Sequence, residues 1–227
     1  RLWGAIGVMV ALMLAISAIG LGGLKSSNEQ LRAVYLNDLQ PSNDINRMMF
    51  LLSDNRSQIM LGLQHDPGSP LSKMHDHPLG MHIEKTLSNR EEINALLDKL
   101  KGVTLNERQK TLLDKFGETR ERFSKEGVNA ARELLKAGSY TEANVVLLRN
   151  INPLYAEMQK DGQALVDELA KSASERFGKA EIHYAEIRNL SIGLLVAAIA
   201  IGTIGSLLLV GAIVGPMRRA IAHFEQI

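Results

Sequence analysis

NLSIGLLVAAIAIGTIGSLLLVGAIVGPM, residues 189–217, is 29 residues long and carries no charge. A helix crosses the hydrocarbon core of a bilayer with about 20 apolar residues, so this stretch predicts a membrane span. The other end of the chain repeats the signal: LWGAIGVMVALMLAISAIGLGGL, residues 2–24, is 23 residues without a charge. At about 1.5 Å per residue such a helix is about 35 Å long, enough to cross with some tilt. A cleaved signal peptide is the rival for this first stretch, but its apolar region is typically about 7 to 15 residues. The layout that follows is a transmembrane helix over 2–24, a domain over 25–189, a transmembrane helix over 190–214 and a further segment over 215–227. The chain begins at Arg1 rather than Met and stops at Ile227 inside a helical pattern, which reads as a fragment of a longer protein.

The domain between the runs is electrically balanced, with 23 Lys and Arg against 24 Asp and Glu over 25–188. Such a segment offers no general attraction to nucleic acid or to anionic lipid. No cysteine occurs, so disulfides and thiol catalysis are excluded and an oxidising exterior is no chemical hazard. Arg218 and Arg219 after the second run outweigh Lys25 and Arg188 on the other flank, which predicts both chain ends in the cytoplasm. The domain between them then lies outside the cytoplasm, which fits a periplasmic location.

Apolar residues in the domain recur at spacings of three and four, and no alternating strand pattern is present. Four helices are predicted. The first runs on from the membrane to about Gln64, with Leu31, Tyr35, Ile45, Met49, Leu52, Arg56, Ile59 and Leu63 on its seam and a kink near Gln40 caused by Pro41. The polar loop HDPGSPLSKMHDHPLG ends it. The second spans about Met81 to Lys101, with Leu79, Ile83, Thr86, Arg90, Ile93, Leu97 and Leu100 on its seam; Ser88-x-x-Glu91 offers a later start. Capping boxes at Thr104-x-x-Glu107 and Ser139-x-x-Glu142 open the third and fourth helices, and Gly102 and Gly138 close the two that precede them. The third buries Leu105, Leu112, Phe116, Phe123 and Leu134; the fourth buries Leu148, Ile151, Tyr155, Met158, Leu165 and Leu169 and continues into the second apolar run, with Pro153 as its one break. The fold class is therefore all-α: an antiparallel up-down four-helix bundle flanked by two transmembrane helices.

This layout resembles the four-helix-bundle ligand-binding part of bacterial chemoreceptors, the methyl-accepting chemotaxis proteins. LNDLQPSNDINRMMFLLSDNRSQIM, residues 36–60, is similar to the first helix of that family, and GSYTEANVVLLRNINPLYAEM, residues 138–158, to the start of its fourth. GPMRRAIAHFEQI, residues 215–227, resembles the opening of a HAMP linker, with Pro216 at its entry and Ile221 and Phe224 on its apolar stripe. The resemblance implies a homodimer in the inner membrane that binds a small molecule outside, shifts a membrane helix and controls a cytoplasmic signalling complex through a part of the protein beyond this sequence. The loop after the first helix, and the lack of several clustered arginines on that helix, depart from the amino-acid receptors of the family, so no ligand is carried over. The alternatives are the input domain of a sensor histidine kinase or nucleotide cyclase, or a sensor of a periplasmic partner protein.

Arg56 is the most informative polar residue, because a guanidinium on a buried seam must find a partner or cost several kcal/mol. Counting levels along the folded-back helices puts Arg56, Arg90, Arg120 and the turn from Tyr155 to Gln159 in one layer. With Asn55 beside them and the hydroxyls of Thr86, Thr119 and Tyr155 near, such a layer would suit a small organic anion, a di- or tricarboxylate. The competing reading pairs each arginine with a neighbouring carboxylate such as Glu91 or Glu92, or lets it snorkel to solvent. His65, His75, His77 and His82 lie in or beside the distal loop with Asp66 and Asp76. They are read as members of a solvated loop, since the H-D-H run matches no closed metal-site spacing; a metal on His75, His77 and His82, or proton sensing, is the alternative. No resident cofactor is predicted. GLGGLK lies at a membrane end rather than between strand and helix, and neither a nucleophile elbow nor HExxH occurs, so no enzyme is predicted.

Overall fold

The computed structural model of the chain describes residues 2–224, and among these residues it is helical with no strand. Three long rods are each interrupted by one wider π turn. The first is α1 (Leu2–Val34), a π turn at Tyr35–Leu39 and α2 (Gln40–Leu63). After a loop with a short 3₁₀ turn at Pro70–Met74 comes α3 (Gly80–Leu100). The second rod is α4 (Glu107–Arg122), a π turn at Phe123–Asn129 and α5 (Ala130–Lys136). The third is α6 (Tyr140–Val146), a π turn at Leu147–Ile151 and α7 (Asn152–Phe224). The chain divides into two units, Ala33–Glu175 and the two flanking segments together.

Two of the π turns have a cause legible in the sequence. Each ends two residues before a proline, Pro41 in one case and Pro153 in the other. Proline lacks an N–H and its ring collides with the carbonyl four residues earlier, so a regular α-helix cannot run through it. A wider turn moves the offending carbonyls of Asn37 and Arg149 aside, and the helix continues. The irregularity expected near Gln40 thus falls at Tyr35–Leu39. The third π turn contains Gly127, where a Cβ would lie 2.9 Å from Ile151 Cγ1; a glycine is required for that approach.

The core of the unit Ala33–Glu175 is a column of sealed side chains, among them Ile45, Leu52, Ile59, Phe116, Phe123, Leu135, Ile151, Met158 and Leu165. At about 1.5–3 kcal/mol each, these residues dominate the driving force of the fold. Gly162 lets two helices approach across this column, since a Cβ there would lie 2.5 Å from Met49 Sδ and 3.0 Å from Phe116. Several predicted seams are displaced by one position. Leu31, Tyr35 and Leu148 are exposed, while Val34, Pro41, Leu147 and Leu154 take the buried places. On α3 the buried row is His82, Thr86, Asn89, Ile93, Leu96 and Leu100, which leaves Arg90 on the exposed side. The start of α4 is corrected by two residues: Asn106, not Thr104, is the cap. Its Oδ1 accepts from Gln109 N at 2.8 Å, and its own N–H donates to Gln109 Oε1 at 2.9 Å. Ser139 does precede α6, but its side chain makes no capping bond. Gly138, at φ 76°, occupies the left-handed region that closes α5.

In the flanking segments the two apolar runs lie on helices long and apolar enough to cross a membrane. The most apolar window of each is 0% buried, whereas the core helix of a water-soluble protein would be mostly buried. Leu14, Leu21, Leu207 and Leu208 are two-thirds exposed. The helix holding Pro216 runs on to Phe224, and residues 225–227 of the HAMP-like segment lie outside the described residues.

Candidate functional site

Arg56 on α2 and Tyr155 on α7 come together as predicted. The guanidinium lies over the tyrosine ring at 5.1 Å, and its Nε donates to Asn152 Oδ1 at 2.8 Å. The tyrosine hydroxyl donates to Ser53 Oγ at 3.1 Å and accepts from Gln159 Nε2 at 3.0 Å. Behind the ring stands Phe123, 6.1 Å away. The tyrosine is therefore fixed at both its face and its tip, and it presents a rigid floor to the arginine. Among the described residues no carboxylate pairs with Arg56, and its two terminal nitrogens donate to no other residue. Four N–H donors of a half-buried cation remain for an anion, in the forked geometry that matches a carboxylate.

The rest of the predicted layer is dispersed. Arg90 is exposed on α3. Arg120 is mostly covered, 16% exposed, and pairs with Glu121 at 3.1 Å in a groove that also holds Leu97, Asp98 and Asp114. Thr86 is buried, and its hydroxyl turns back on the Ile83 carbonyl at 2.7 Å. Thr119 donates to Asp161 Oδ2 at 2.8 Å, with Lys115 on the other oxygen at 2.7 Å. The level count erred by less than about two turns: the residue facing Arg56 on α7 is Asn152, six positions before Met158, or about 9 Å along a helix. The count took Lys25 and Asn189 as level, whereas Gly23 packs against Ile187. Asn152 was missed for that reason; Gln159 lies in the predicted Tyr155 to Gln159 turn, and Ser53, on α2 itself, was not singled out.

Asn55 is buried and begins a second polar array. Asn89 Nδ2 donates to Asn55 Oδ1 at 2.9 Å and to Asp54 Oδ2 at 2.8 Å, and the other oxygen of Asp54 accepts from Gln58 Nε2 at 2.9 Å. Gln58 Oε1 then meets His82 Nδ1 at 2.7 Å, His82 Nε2 meets His77 Nε2 at 3.0 Å, and His77 Nδ1 meets Asp76 Oδ1 at 2.7 Å. His65 and His75 stack at 3.9 Å between ring centres and both pack against His77. The histidines expected to be scattered along a solvated loop are instead one cluster at the α2–α3 connection. Burial, and then the neighbouring imidazoles, hold the His65 and His82 rings below the ordinary histidine range. His65, absent from the predicted alternative set, joins it because α2 ends at Leu63 and the next turn brings residue 65 back over the loop.

A helical bundle with two membrane-competent helices and a half-buried, uncompensated cation has the makings of a sensory domain of a membrane receptor. The chain belongs to the family of Tar ligand binding domain homologues, which it matches over residues 1–173, and it carries a chemoreceptor ligand-binding domain. No curated protein and no solved structure matches it.

Proposed function

We propose that this chain is the sensory portion of a transmembrane chemoreceptor and that a small organic anion, a di- or tricarboxylate, binds at Arg56. The observation that carries the reading is the half-buried Arg56 guanidinium, held by Asn152 and Tyr155 with four N–H donors left over. Desolvation makes an added charge-assisted pair stronger there than at the surface, and the fixed ring removes much of the ordering cost. Arg90 and Arg120, the further arginines of the predicted layer, lie apart from Arg56 within one chain. A second carboxylate would therefore be met by a partner subunit's arginine or by Gln159 and Ser53.

The bundle stands in the periplasm in this reading, the two apolar runs cross the inner membrane, and the chain works as a homodimer. Leu39, Phe50 and Leu61 are exposed and recur every eleven residues, three turns apart on one side of the first rod, which suits a helix-to-helix contact. Asn152 belongs to the helix that also contains the second apolar run. An anion that draws α2 and α7 together at Arg56 biases α7 by a shift of about 1–2 Å, and the helix delivers that bias to the HAMP-like segment and a cytoplasmic signalling complex. Titration calorimetry of the whole chain in detergent, with succinate and citrate as probes, tests the site. Saturable binding that is lost in Arg56→Ala and weakened in Tyr155→Leu is the expected result. Binding unchanged in Arg56→Ala, or none with any carboxylate or amino acid, would leave the sensor of a partner protein as the better reading.

A further inference from the structure

We propose that His65, His75, His77 and His82 form a binding site for a borderline divalent transition-metal ion, zinc or nickel, at the connection between α2 and α3. The proposal concerns a different cluster from Arg56 and stands or falls without the carboxylate reading.

The proton bookkeeping of the cluster carries the argument. The carboxylate of Asp54 can only accept, so Gln58 must turn its amide nitrogen toward Asp54, at 2.9 Å. That orientation leaves Gln58 Oε1 facing His82, and the 2.7 Å contact requires His82 Nδ1 to carry the hydrogen. The carboxylate of Asp76 imposes the same tautomer on His77 through the 2.7 Å contact at Nδ1. In the neutral rings both Nε2 atoms are then bare lone pairs, and they point at each other across 3.0 Å. A cation between or beside them would relieve that repulsion. A third lone-pair candidate, His65 Nε2, is buried with no hydrogen-bond partner among the described residues. One nitrogen each of His65, His75 and His77 lies within 4.8 Å of the others.

The dimensions and chemistry fit a metal. Tetrahedral imidazole ligands at about 2.0–2.1 Å from zinc hold their nitrogens about 3.3 Å apart. The His77–His82 pair is already near that spacing, and rotation of the loop rings closes the remainder. Gln58 and Asp76 occupy the places of the outer hydrogen-bond acceptors that orient ligating histidines. Imidazole donors without thiolate suit zinc, nickel or copper(II), whereas magnesium and calcium seek oxygen. A groove lined by Gln58, His77, Met81 and His82 gives access from solvent. The ligands come from the end of α2, the loop and the first turn of α3, so a bound ion would cross-link the tip.

The test uses the full chain in detergent, purified without a polyhistidine tag and stripped with chelator, titrated calorimetrically with zinc, nickel and magnesium salts. The expected result is one zinc or nickel ion per chain and no magnesium. His75→Ala with His77→Ala should weaken binding at least about 100-fold, and Gln58→Leu about 10- to 100-fold. Both histidines lie outside the helices, so circular dichroism of the double variant should match the wild type, and Arg56→Ala should keep full metal affinity. Absence of saturable zinc or nickel binding would overturn the proposal. Binding retained by the double variant would overturn it equally.

Discussion

The Arg56 site and the histidine tip both hang on α2, and their polar groups are unbalanced in opposite senses. At Arg56 the guanidinium has an amide and an aromatic face but, among the described residues, no carboxylate. At the tip nitrogen atoms face one another: the Nε2 atoms of His77 and His82 meet, while their Nδ1 atoms meet Asp76 and Gln58. Buried Asp161, by contrast, takes both Thr119 and Lys115. Polar groups left over in a cluster of converging side chains mark a place where something from outside can bind.

Four substitutions would break or sharpen this contrast. Phe116 is fully sealed in the core, so Phe116→Ala should cost about 3–5 kcal/mol and impair both clusters together, read as a lowered unfolding midpoint. Gly127→Val should act on one cluster alone. Its added carbons collide with Ile151, the neighbour of Asn152, at a cost of about 1–3 kcal/mol, and carboxylate affinity should fall while zinc affinity holds. Arg56→Ala removes a cation–π contact worth about 0.5–2 kcal/mol, so the fold should survive with carboxylate binding gone; titration of both ligand classes checks it. Arg90→Ala, on the exposed side of α3, should change stability by less than about 0.5 kcal/mol and leave both affinities unaltered.

Much of the architecture was legible because single residues force it. Charge-free runs of 23 and 29 residues leave few alternatives to membrane-competent helices, and Pro41 and Pro153 announce the irregular turns just before them. Gly138 marks a helix end from the sequence alone. The seams were harder. A π turn adds residues without adding a full α-helical period, so Tyr35 and Leu148, placed by uniform steps, fall out of phase with the true buried row. Asn106 rather than Thr104 is the cap, with Gln109 returning the bond; both pairs obey the same spacing rule, so spacing alone does not separate them.

The two clusters were unequally readable. The contact between Arg56 and Tyr155 follows from both lying near seams, yet which residue faces Arg56 depends on axial offset, and an error of a few residues in the starting level exchanged Asn152 for Met158. The histidines were conspicuous in composition, but their convergence depends on how a Pro- and Gly-rich loop folds back. That path is set by local contacts such as the Asp66 carboxylate accepting from Gly68 N at 2.8 Å, which no periodicity predicts.

The opposite imbalance of the two clusters is tested most directly by calorimetric unfolding of the whole chain in detergent, alone, with succinate or citrate, and with zinc. The wild type, Arg56→Ala and the His75→Ala, His77→Ala pair are compared. A ligand at a hundredfold excess over its Kd stabilises by about 2.7 kcal/mol, a rise of several degrees for a bundle of this size. The account predicts a crossed pattern: the carboxylate response disappears only in the arginine variant and the zinc response only in the histidine pair. Loss of both responses in either variant, or of neither, would contradict it.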